Sequence, residues 1–377
     1  MAAIDLAQRR AAVDRFDPDP ERSFTLPADY YFDPAIFERE KDAIFYRNWL
    51  YMGHAEQVAK PGDYITGRVL DQNIFIVRGK DNALRAFYNV CQHRAHELLE
   101  GSGHVKVITC PYHAWTYELD GDLRSARGSE KVANFEPAEF CLKPVQVETF
   151  MNFLFVNLDR DAPSLQCLAD GLEAELRSFS PKADELTLAH RYQREVKANW
   201  KNVVENFSEC YHCPISHPDF AANLVQMPSY RIETHAIYHS HRSRGTASGE
   251  SSYDYDSKVS AHGEEFGGWL LWPNWSIEVF PGGYLNIFHN DPVAPEITLQ
   301  TVEWYFFHKE PNEEERAVID CLDEVRLEDI PIVESVQRGY HSHGYKQGRL
   351  VVDARRDENS EHAVHHFQTL VRKALGA

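Results

Sequence analysis

The chain has 377 residues, of which 43% are hydrophobic and 12% aromatic, and its formal net charge is −19. This length and composition predict a globular protein with two domains, each with its own core, and exclude a disordered chain. The negative charge argues against nucleic acid as a partner. No apolar run is long enough to cross a membrane.

The chain changes character twice. Residues 1–41 predict a polar lead-in with a short helix that starts near Asp33-Pro34 and packs on the domain formed by residues 159–377. Residues 42–158 contain short runs of β-branched and aromatic residues, which predict a β-sandwich. Residues 159–377 combine helical patterns with strands between about 228 and 310, and residues 242–257 predict a long exposed loop. The expected fold class is α+β.

Cysteine usage predicts a reducing compartment. The start of the chain, MAAIDLAQRRAAVDRF, has no apolar signal core. The seven cysteines are an odd number, and three lie next to histidines in sequence. We therefore expect a soluble, cytoplasmic protein without disulfides, in which the remaining cysteines are buried thiols: Cys141, Cys167, Cys210 and Cys321.

Two short motifs within the strand-rich segment combine cysteine with histidine, namely Cys91-Gln-His93 and Cys110-Pro-Tyr-His113. A Rieske [2Fe–2S] cluster uses two thiolates on one iron and two imidazoles on the other. Zinc also accepts two cysteines and two histidines, but each short motif of a zinc finger usually contains two cysteines or two histidines. The spacing therefore favours the Rieske cluster.

The sequence around these motifs resembles a known family. The runs YNVCQHRAHEL and CPYHAWTYELDGDL resemble the Rieske domain of the ring-hydroxylating and related non-haem iron oxygenases. In this reading Pro111 shapes a tight loop around the cluster, and Tyr112 and Trp115 cover it from water. The resemblance implies a Rieske β-sandwich followed by a helix-grip-like catalytic domain with an antiparallel sheet and helices.

A second constellation lies in NWKNVVENFSECYHCPISHPDF, residues 199–220. Apolar residues at helical spacing predict a buried helix that Pro214 ends, followed by a turn that carries His217. His212 and His217 can then converge on one metal ion. Two imidazoles and one carboxylate form the facial triad of non-haem Fe(II) oxygenases.

The resemblance supplies the remaining site residues. It implies Asp329 as the carboxylate ligand of the iron, with Glu328 and then Asp323 as alternatives. It also implies that Glu209 bridges His212 to His113 of a neighbouring subunit and carries electrons between them, which requires a homotrimer. Pro331 is expected to disturb the helix near Asp329.

The substrate class is also inferred from the resemblance. The string ECYHC resembles the subgroup that attacks quaternary ammonium compounds, such as carnitine, glycine betaine and choline. Aromatic faces hold such a small cation, and the candidates are Trp269, Trp272, Tyr284 and Phe288. Vaguer candidates for a substrate carboxylate are His235, His239, His241 and Tyr230.

The expected activity is that of a terminal monooxygenase component that uses O2. No dinucleotide-binding fingerprint follows a strand, so electrons from NAD(P)H require a separate flavin and iron–sulfur reductase. Two alternatives remain open from the sequence. One is hydroxylation of an aromatic acid by the same architecture, and the other is an electron carrier that uses only the Rieske cluster.

Overall fold

The structure is a computed structural model that describes residues 14–377, so the first part of the predicted lead-in lies outside the described residues. The described chain divides into two compact units. The larger unit contains residues 14–40, 174–182 and 188–377, and the smaller unit contains residues 41–173 and 183–187. Domain limits after residues 41 and 158 remain our proposal.

The described residues form seventeen strands: β1 Leu50–His54, β2 Asp63–Val69, β3 Gln72–Arg78, β4 Leu84–Tyr88, β5 Ser102–His104, β6 Ile108–Thr109, β7 Thr116–Tyr117, β8 Leu123–Ser125, β9 Pro144–Phe150, β10 Phe153–Asn157, β11 Thr187–Val196, β12 Arg231–Thr234, β13 Tyr238–Arg244, β14 Glu265–Leu271, β15 Trp275–Phe280, β16 Tyr284–Ala294 and β17 Ile297–Phe306. They also form seven α-helices: α1 Pro34–Glu40, α2 Leu165–Leu168, α3 Leu172–Phe179, α4 Trp200–Phe207, α5 Cys213–Ser216, α6 Glu313–Tyr340 and α7 His362–Leu375.

The smaller unit is built from two sheets. A seven-stranded sheet has the order β1-β10-β9-β4-β3-β2-β5, and a three-stranded sheet has the order β6-β7-β8. One apolar cluster includes Phe75 and Phe87 from the large sheet and Tyr117 from the small one. Cys91 and Cys110 belong to the same cluster, so the core of this unit fixes where both motif loops begin.

The larger unit is built on a seven-stranded sheet with the order β11-β17-β16-β15-β14-β13-β12. Strands β12 to β17 pair with their neighbours in antiparallel register. Helix α6 contributes Val318 and Leu322 to a core cluster that also contains Val302 and Trp304 of β17. This architecture confirms the predicted α+β class with an antiparallel sheet and helices.

A buried ion pair attaches the lead-in to helix α4. The Nζ atom of Lys201 lies 2.6 Å from Oε1 of Glu40, and both side chains have no exposed surface. The indole Nε1–H of Trp200 donates to Oε2 of Glu40 at 2.9 Å. Burial lowers the pKa of Lys201, although the Glu40 carboxylate opposes this effect. Each charge therefore depends on its partner for compensation.

We expect Lys201→Met to lower the free energy of unfolding of the larger unit by about 3–5 kcal/mol, because Glu40 would remain buried without a countercharge. Denaturant unfolding followed by tryptophan fluorescence measures this change. The matched control is Lys80→Met, because Lys80 pairs with Glu118 at the same 2.6 Å but is 64% exposed. That variant should lose less than about 1 kcal/mol; equal losses in both variants would contradict the account.

Three local predictions need correction. The loop predicted at residues 242–257 starts only after Arg244, where β13 ends, and it is not exposed throughout: residues 247–250 are exposed, but the Tyr253 side chain is buried and donates to the carbonyl of Pro281 at 3.1 Å. Cys210 is not a free thiol, because it forms a disulfide with Cys213, and Cys167 is exposed rather than buried. Within residues 14–377, no helix is both long and apolar enough to cross a bilayer.

Candidate metal centres and substrate cavity

The two cysteine motifs form turns of the same backbone conformation. In each turn the cysteine N–H donates to the carbonyl five residues later at 2.8 Å, and its carbonyl accepts the N–H four residues later at 3.0 Å. The fourth residue after each cysteine has a left-handed backbone, with φ of 55° at Ala95 and 59° at Ala114. Cys91 makes these two hydrogen bonds with His96 and Ala95, and Cys110 makes them with Trp115 and Ala114.

These turns bring the two histidines of the motifs together. The imidazole rings of His93 and His113 have centroids 4.6 Å apart, and Trp115 stacks on His93 at 4.8 Å. The indole is buried, as the sequence predicts for a residue that shields a cluster, whereas Tyr112 is 52% exposed.

The donor set of the turns fits a Rieske cluster. Among the described residues, the buried Nδ1 atom of His113 has no hydrogen-bond partner. Burial raises the pKa of the Cys110 thiol, which disfavours an isolated thiolate at this point. Iron supplies the positive charge that a buried thiolate needs and the partner that the imidazole lacks.

A second set of ligand atoms converges in the larger unit. Ligand atoms of His212, His217 and Asp329 all lie within 4.8 Å of one another. Nε2 of His217 is 3.0 Å from Oδ1 of Asp329, and Nε2 of His212 is 3.4 Å from the same oxygen. The two Nε2 atoms are 3.2 Å apart. Asn206 donates to Oδ1 of Asp329 at 3.1 Å and so helps to hold the carboxylate.

A carboxylate orients each imidazole from its other side. Nδ1 of His212 is 2.5 Å from Oε1 of Glu209, and Nδ1 of His217 is 2.7 Å from Oε2 of Glu328. These contacts place a proton on Nδ1 of each ring and turn both Nε2 atoms toward Asp329, where each donates to the carboxylate when protonated and is free to bind a metal when it is not. The two histidines and the carboxylate are thereby prepared for a shared cation.

The pKa values show the same need for positive charge. Burial alone would lower the pKa of His212, but Asp329 and Glu209 outweigh burial and raise it to about 10. Burial would raise the pKa of Asp329, but hydrogen bonds from both histidines lower it to about 2. A proton supplies the positive charge when no metal is bound, and Fe(II) can supply it with the ligand set of a facial triad.

The three candidate carboxylates separate clearly in space. Asp329 faces the two Nε2 atoms, whereas Glu328 contacts the outer nitrogen of His217. Asp323 contacts Tyr192 and lies 3.5 Å from Arg326. The sequence predicted that Pro331 disturbs the helix near Asp329, but α6 continues through Pro331 from Glu313 to Tyr340.

The chain reaches His212 by a different path from the one predicted. Helix α4 ends at Phe207, so Glu209 and His212 lie in the following turn rather than on a helix face. Pro214 does not end that helix but lies in the first turn of α5. The Cys210–Cys213 disulfide closes the turn around His212. The sequence did not predict this disulfide, because Cys213 lies next to His212 and was grouped with the histidine motif.

A cavity of about 110 Å³ adjoins the ligand set. One face of α6 lines it, through residues spaced three or four apart, and helix α4 adds Asn206 and Phe207. The rings of Phe207 and Phe288 meet edge to face with centroids 5.0 Å apart. Tyr230 and His241 also line the cavity, and the Tyr230 hydroxyl lies 3.0 Å from Nδ1 of His241.

Of the four aromatic residues proposed for substrate binding, Phe288 lines this cavity. The other three lie elsewhere in the core. Trp269 donates to Glu175, Trp272 packs against Trp200, and Tyr284 packs against Tyr253. Strand alternation predicts which residues share a face but not which face meets α6, so Glu278 was missed. Phe207 and Arg326 were missed because helical spacing in α4 and α6 does not show which helix face lines a cavity.

Comparisons with known proteins agree with this geometry. The model of the ring hydroxylating alpha subunit catalytic domain matches residues 183–377, and that of the Rieske [2Fe-2S] domain matches residues 48–136. The carnitine monooxygenase oxygenase subunit of Acinetobacter baumannii is 41% identical over 360 residues, covering 94% of this chain and 96% of that protein.

This chain belongs to the Rieske oxygenase family. The chloroplastic choline monooxygenase of Beta vulgaris is 31% identical to this Rieske oxygenase over 382 residues, covering 97% of this chain and 81% of that protein. The crystal structure of the quaternary ammonium Rieske monooxygenase CntA with L-carnitine has a TM-score of 0.86 and 39% identity, covering 96% of this chain and 99% of that one.

The family confirms the enzyme class and cofactors predicted from the sequence. Rieske oxygenases carry a [2Fe–2S] cluster and a mononuclear iron. When bound, the cluster supplies single electrons and the mononuclear iron supplies the capacity to activate O2. An electron carrier without catalysis is thereby excluded, since the catalytic domain is present.

We expect the His212→Ala variant to contain about two iron atoms per chain and the unaltered enzyme about three, because only the mononuclear site loses a ligand. Iron analysis measures the total, and the visible spectrum reports the Rieske cluster independently. The control is His341→Ala, because His341 also pairs with a carboxylate, Glu296 at 2.6 Å, but lies outside the ligand set. Equal iron content in the two variants would contradict the assignment.

Proposed function

We propose that this Rieske oxygenase is the terminal component of a monooxygenase that hydroxylates a quaternary ammonium substrate of the carnitine or betaine type next to its nitrogen. The observation that carries this proposal is the aromatic and acidic cavity beside His212, His217 and Asp329. The relatives named above, which act on carnitine and choline, support the same substrate class.

The cavity suits a trimethylammonium group. Such a cation has no hydrogen-bond donor, and aromatic faces attract it through their quadrupole. Phe207 and Phe288 provide apolar aromatic surface without a competing hydroxyl. Burial lowers the pKa of His241 to about 3, so this side chain adds no positive charge near neutral pH.

The proposed reaction is a hydroxylation followed by cleavage of a carbon–nitrogen bond. O2, two electrons and two protons convert a carbon–hydrogen bond beside the nitrogen into a carbon–hydroxyl bond and release one water. In the hydroxylated ammonium product the carbon–nitrogen bond then breaks, its electron pair leaves with the tertiary amine, the hydroxyl proton is released to water, and the carbon becomes an aldehyde. The residues of this chain hold the substrate carbon near the mononuclear iron, and the cavity walls exclude bulk water.

We propose His212, His217 and Asp329 as the ligands of the mononuclear iron, and Cys91, His93, Cys110 and His113 as the ligands of the cluster. At the iron site, ligand atoms of all three residues lie within 4.8 Å of one another. At the cluster site, the rings of His93 and His113 lie 4.6 Å apart and the buried Nδ1 of His113 has no hydrogen-bond partner. Glu328 orients His217 in this scheme and does not bind the metal.

We propose a homotrimer in which the Rieske cluster of one subunit serves the iron of the next through Glu209. Exposed apolar side chains near the iron ligands support such an interface, since Ile215 is 86% exposed and Leu327 is 60% exposed. In the smaller unit, Tyr112 and Val132 are exposed beside the cluster histidines. Inter-subunit electron transfer is described for a quaternary ammonium Rieske monooxygenase 38% identical to this chain.

The electrons come from NAD(P)H through a separate flavin and iron–sulfur reductase in this proposal. The cytoplasmic location predicted from the sequence belongs to the same proposal, and cell fractionation tests it. The disulfide between Cys210 and Cys213 removes one of the arguments for that location.

We expect carnitine, γ-butyrobetaine, glycine betaine or choline to stimulate O2 consumption by the enzyme with a surrogate reductase and NADH. Benzoates should not, because they lack the cation that the cavity attracts. An oxygen electrode measures the rate, and aldehyde analysis measures product formation. Stimulation by benzoates alone would overturn the substrate class and favour an oxygenase for aromatic acids.

We expect Glu209→Gln to keep both iron sites occupied but to slow the reoxidation of the reduced cluster by at least about tenfold, because the charged bridge is lost. Stopped-flow spectroscopy of the cluster measures this rate in the presence of substrate and O2. The matched control is Glu205→Gln, one helical turn earlier, because Glu205 accepts from Tyr31 and Gln368 instead of a histidine. An unchanged rate in Glu209→Gln would remove the bridging role.

A further inference from the structure

Glu278 is a largely enclosed acid in the substrate cavity that has no part in the iron site. Among the described residues that line the cavity, three are acids: Glu209, Asp329 and Glu278. Glu209 and Asp329 are committed to the histidines of the iron site. Glu278 remains outside that group, and 12% of its side-chain surface is accessible although it lies deep within the fold.

The sheet places Glu278 on the floor of the cavity. A directly paired row crosses four strands through His241, Gly268, Glu278 and Asn286. Directly paired residues of antiparallel strands project from the same face. A Cβ atom at Gly268 would lie 3.5 Å from the Phe207 ring, an ordinary contact distance, so that ring lies against the sheet between His241 and Glu278.

Phe288 lies on the same floor, one position away from Glu278. Ser276 pairs with Phe288 across strands β15 and β16, which makes Glu278 and Phe288 diagonal neighbours, about 7 Å apart. The guanidinium of Arg326 contacts both of them, 2.9 Å from Oε2 of Glu278 and 5.5 Å from the Phe288 ring centroid. The acid and the aromatic surface therefore form one continuous wall.

The charges around Glu278 sum to a negative value. Arg326 is the cation paired with it, but Arg326 is also 3.5 Å from Oδ1 of Asp323. Two carboxylates thus share one guanidinium, and Asn286 adds a neutral contact to the same group. This wall has an uncompensated negative charge that a cationic ligand can balance.

We propose that Glu278 determines the specificity of the enzyme by supplying the countercharge for the quaternary ammonium group of the substrate. This inference rests on the proposed function and deepens it. The aromatic rings select the shape and polarisability of the ammonium group, and the carboxylate distinguishes the cation from a neutral group of the same size.

The alternative role for Glu278 is a purely structural ion pair with Arg326. That role predicts that loss of Glu278 weakens all ligands equally, because the cavity wall itself would rearrange. A countercharge predicts a selective loss of the cationic ligand. The ratio of the affinities for the ammonium ligand and for its uncharged counterpart therefore distinguishes the two roles, whereas enzyme activity does not.

The experiment compares γ-butyrobetaine with 5,5-dimethylhexanoate, in which a carbon atom replaces the ammonium nitrogen. Isothermal titration calorimetry on the iron-loaded enzyme measures both dissociation constants. We expect the unaltered enzyme to prefer the cation and Glu278→Gln to reduce that preference at least about tenfold, or ~1.4 kcal/mol. Glu278→Asp keeps the charge and should retain most of the preference.

The matched control is Glu175→Gln, because Glu175 also pairs with an arginine, Arg242 at 2.8 Å, but does not line the cavity. We expect its preference to stay within about twofold of the unaltered enzyme. An unchanged preference in folded Glu278→Gln, or an equal loss for both ligands, would overturn the proposal. Failure of the unaltered enzyme to bind γ-butyrobetaine would instead overturn the proposed function.

A second measurement needs no variant. Burial raises the pKa of Glu278 to about 7, although Arg326 opposes this effect. Besides Arg326, the charge that acts on it is that of Asp329 on α6, and the uncharged neighbours are Tyr230 and the neutral His241 in its row. A cationic ligand stabilises the ionised form, so its affinity should fall as the pH drops below about 7 and level off above it.

The affinity of 5,5-dimethylhexanoate should not follow this trend, because the neutral group gains nothing from the ionised carboxylate. Titrations between pH 6 and about pH 8.5 compare the two ligands under the same conditions. Parallel pH profiles for γ-butyrobetaine and for 5,5-dimethylhexanoate, whose tert-butyl group is uncharged, would contradict the role of Glu278, even if Glu278→Gln could not be purified in folded form.

Discussion

Three ligand atoms of the larger unit converge so closely that they need a proton or a metal ion between them, and the organisation of the site depends on this convergence. The Nε2 atoms of His212 and His217 lie 3.2 Å apart and both face Oδ1 of Asp329. Carboxylates hold the outer nitrogen of each ring, so neither imidazole can turn away without breaking a hydrogen bond. A cation at this point relieves the repulsion, and iron is the cation that the family uses.

The fold supports this arrangement from three directions. Helix α4 ends just before the turn that carries His212, and the disulfide between Cys210 and Cys213 closes that turn. The long helix α6 presents Asp329 on the same face that lines the cavity. The sheet provides the opposite wall, with Glu278 and Phe288 on it. Iron ligation and substrate binding therefore share helix α6, and a change in its position would disturb both.

The sequence predicted the site residues that local motifs mark. It did not predict the contacts that depend on how the strands and helices align with one another. The spacing of Cys91, His93, Cys110 and His113 indicated the cluster, and the structure brings the two motifs together in matching turns. The family resemblance placed Asp329 beside the histidines. The pairing of Arg326 with Glu278 joins residues 48 positions apart on a helix and a strand, which no local pattern encodes. The disulfide was missed because a cysteine's oxidation state depends on its spatial partner.

The central claim is that one iron ion sits between His212, His217 and Asp329, and anomalous diffraction at the iron absorption edge tests it most directly. The account predicts one anomalous peak at the cluster turns and a second within about 2.3 Å of Nε2 of both histidines and an oxygen of Asp329. It also predicts no direct contact between that second peak and Glu328 or Asp323. A second peak bound by Glu328 or Asp323 in place of Asp329, or the absence of a second peak in iron-loaded crystals, would contradict the account.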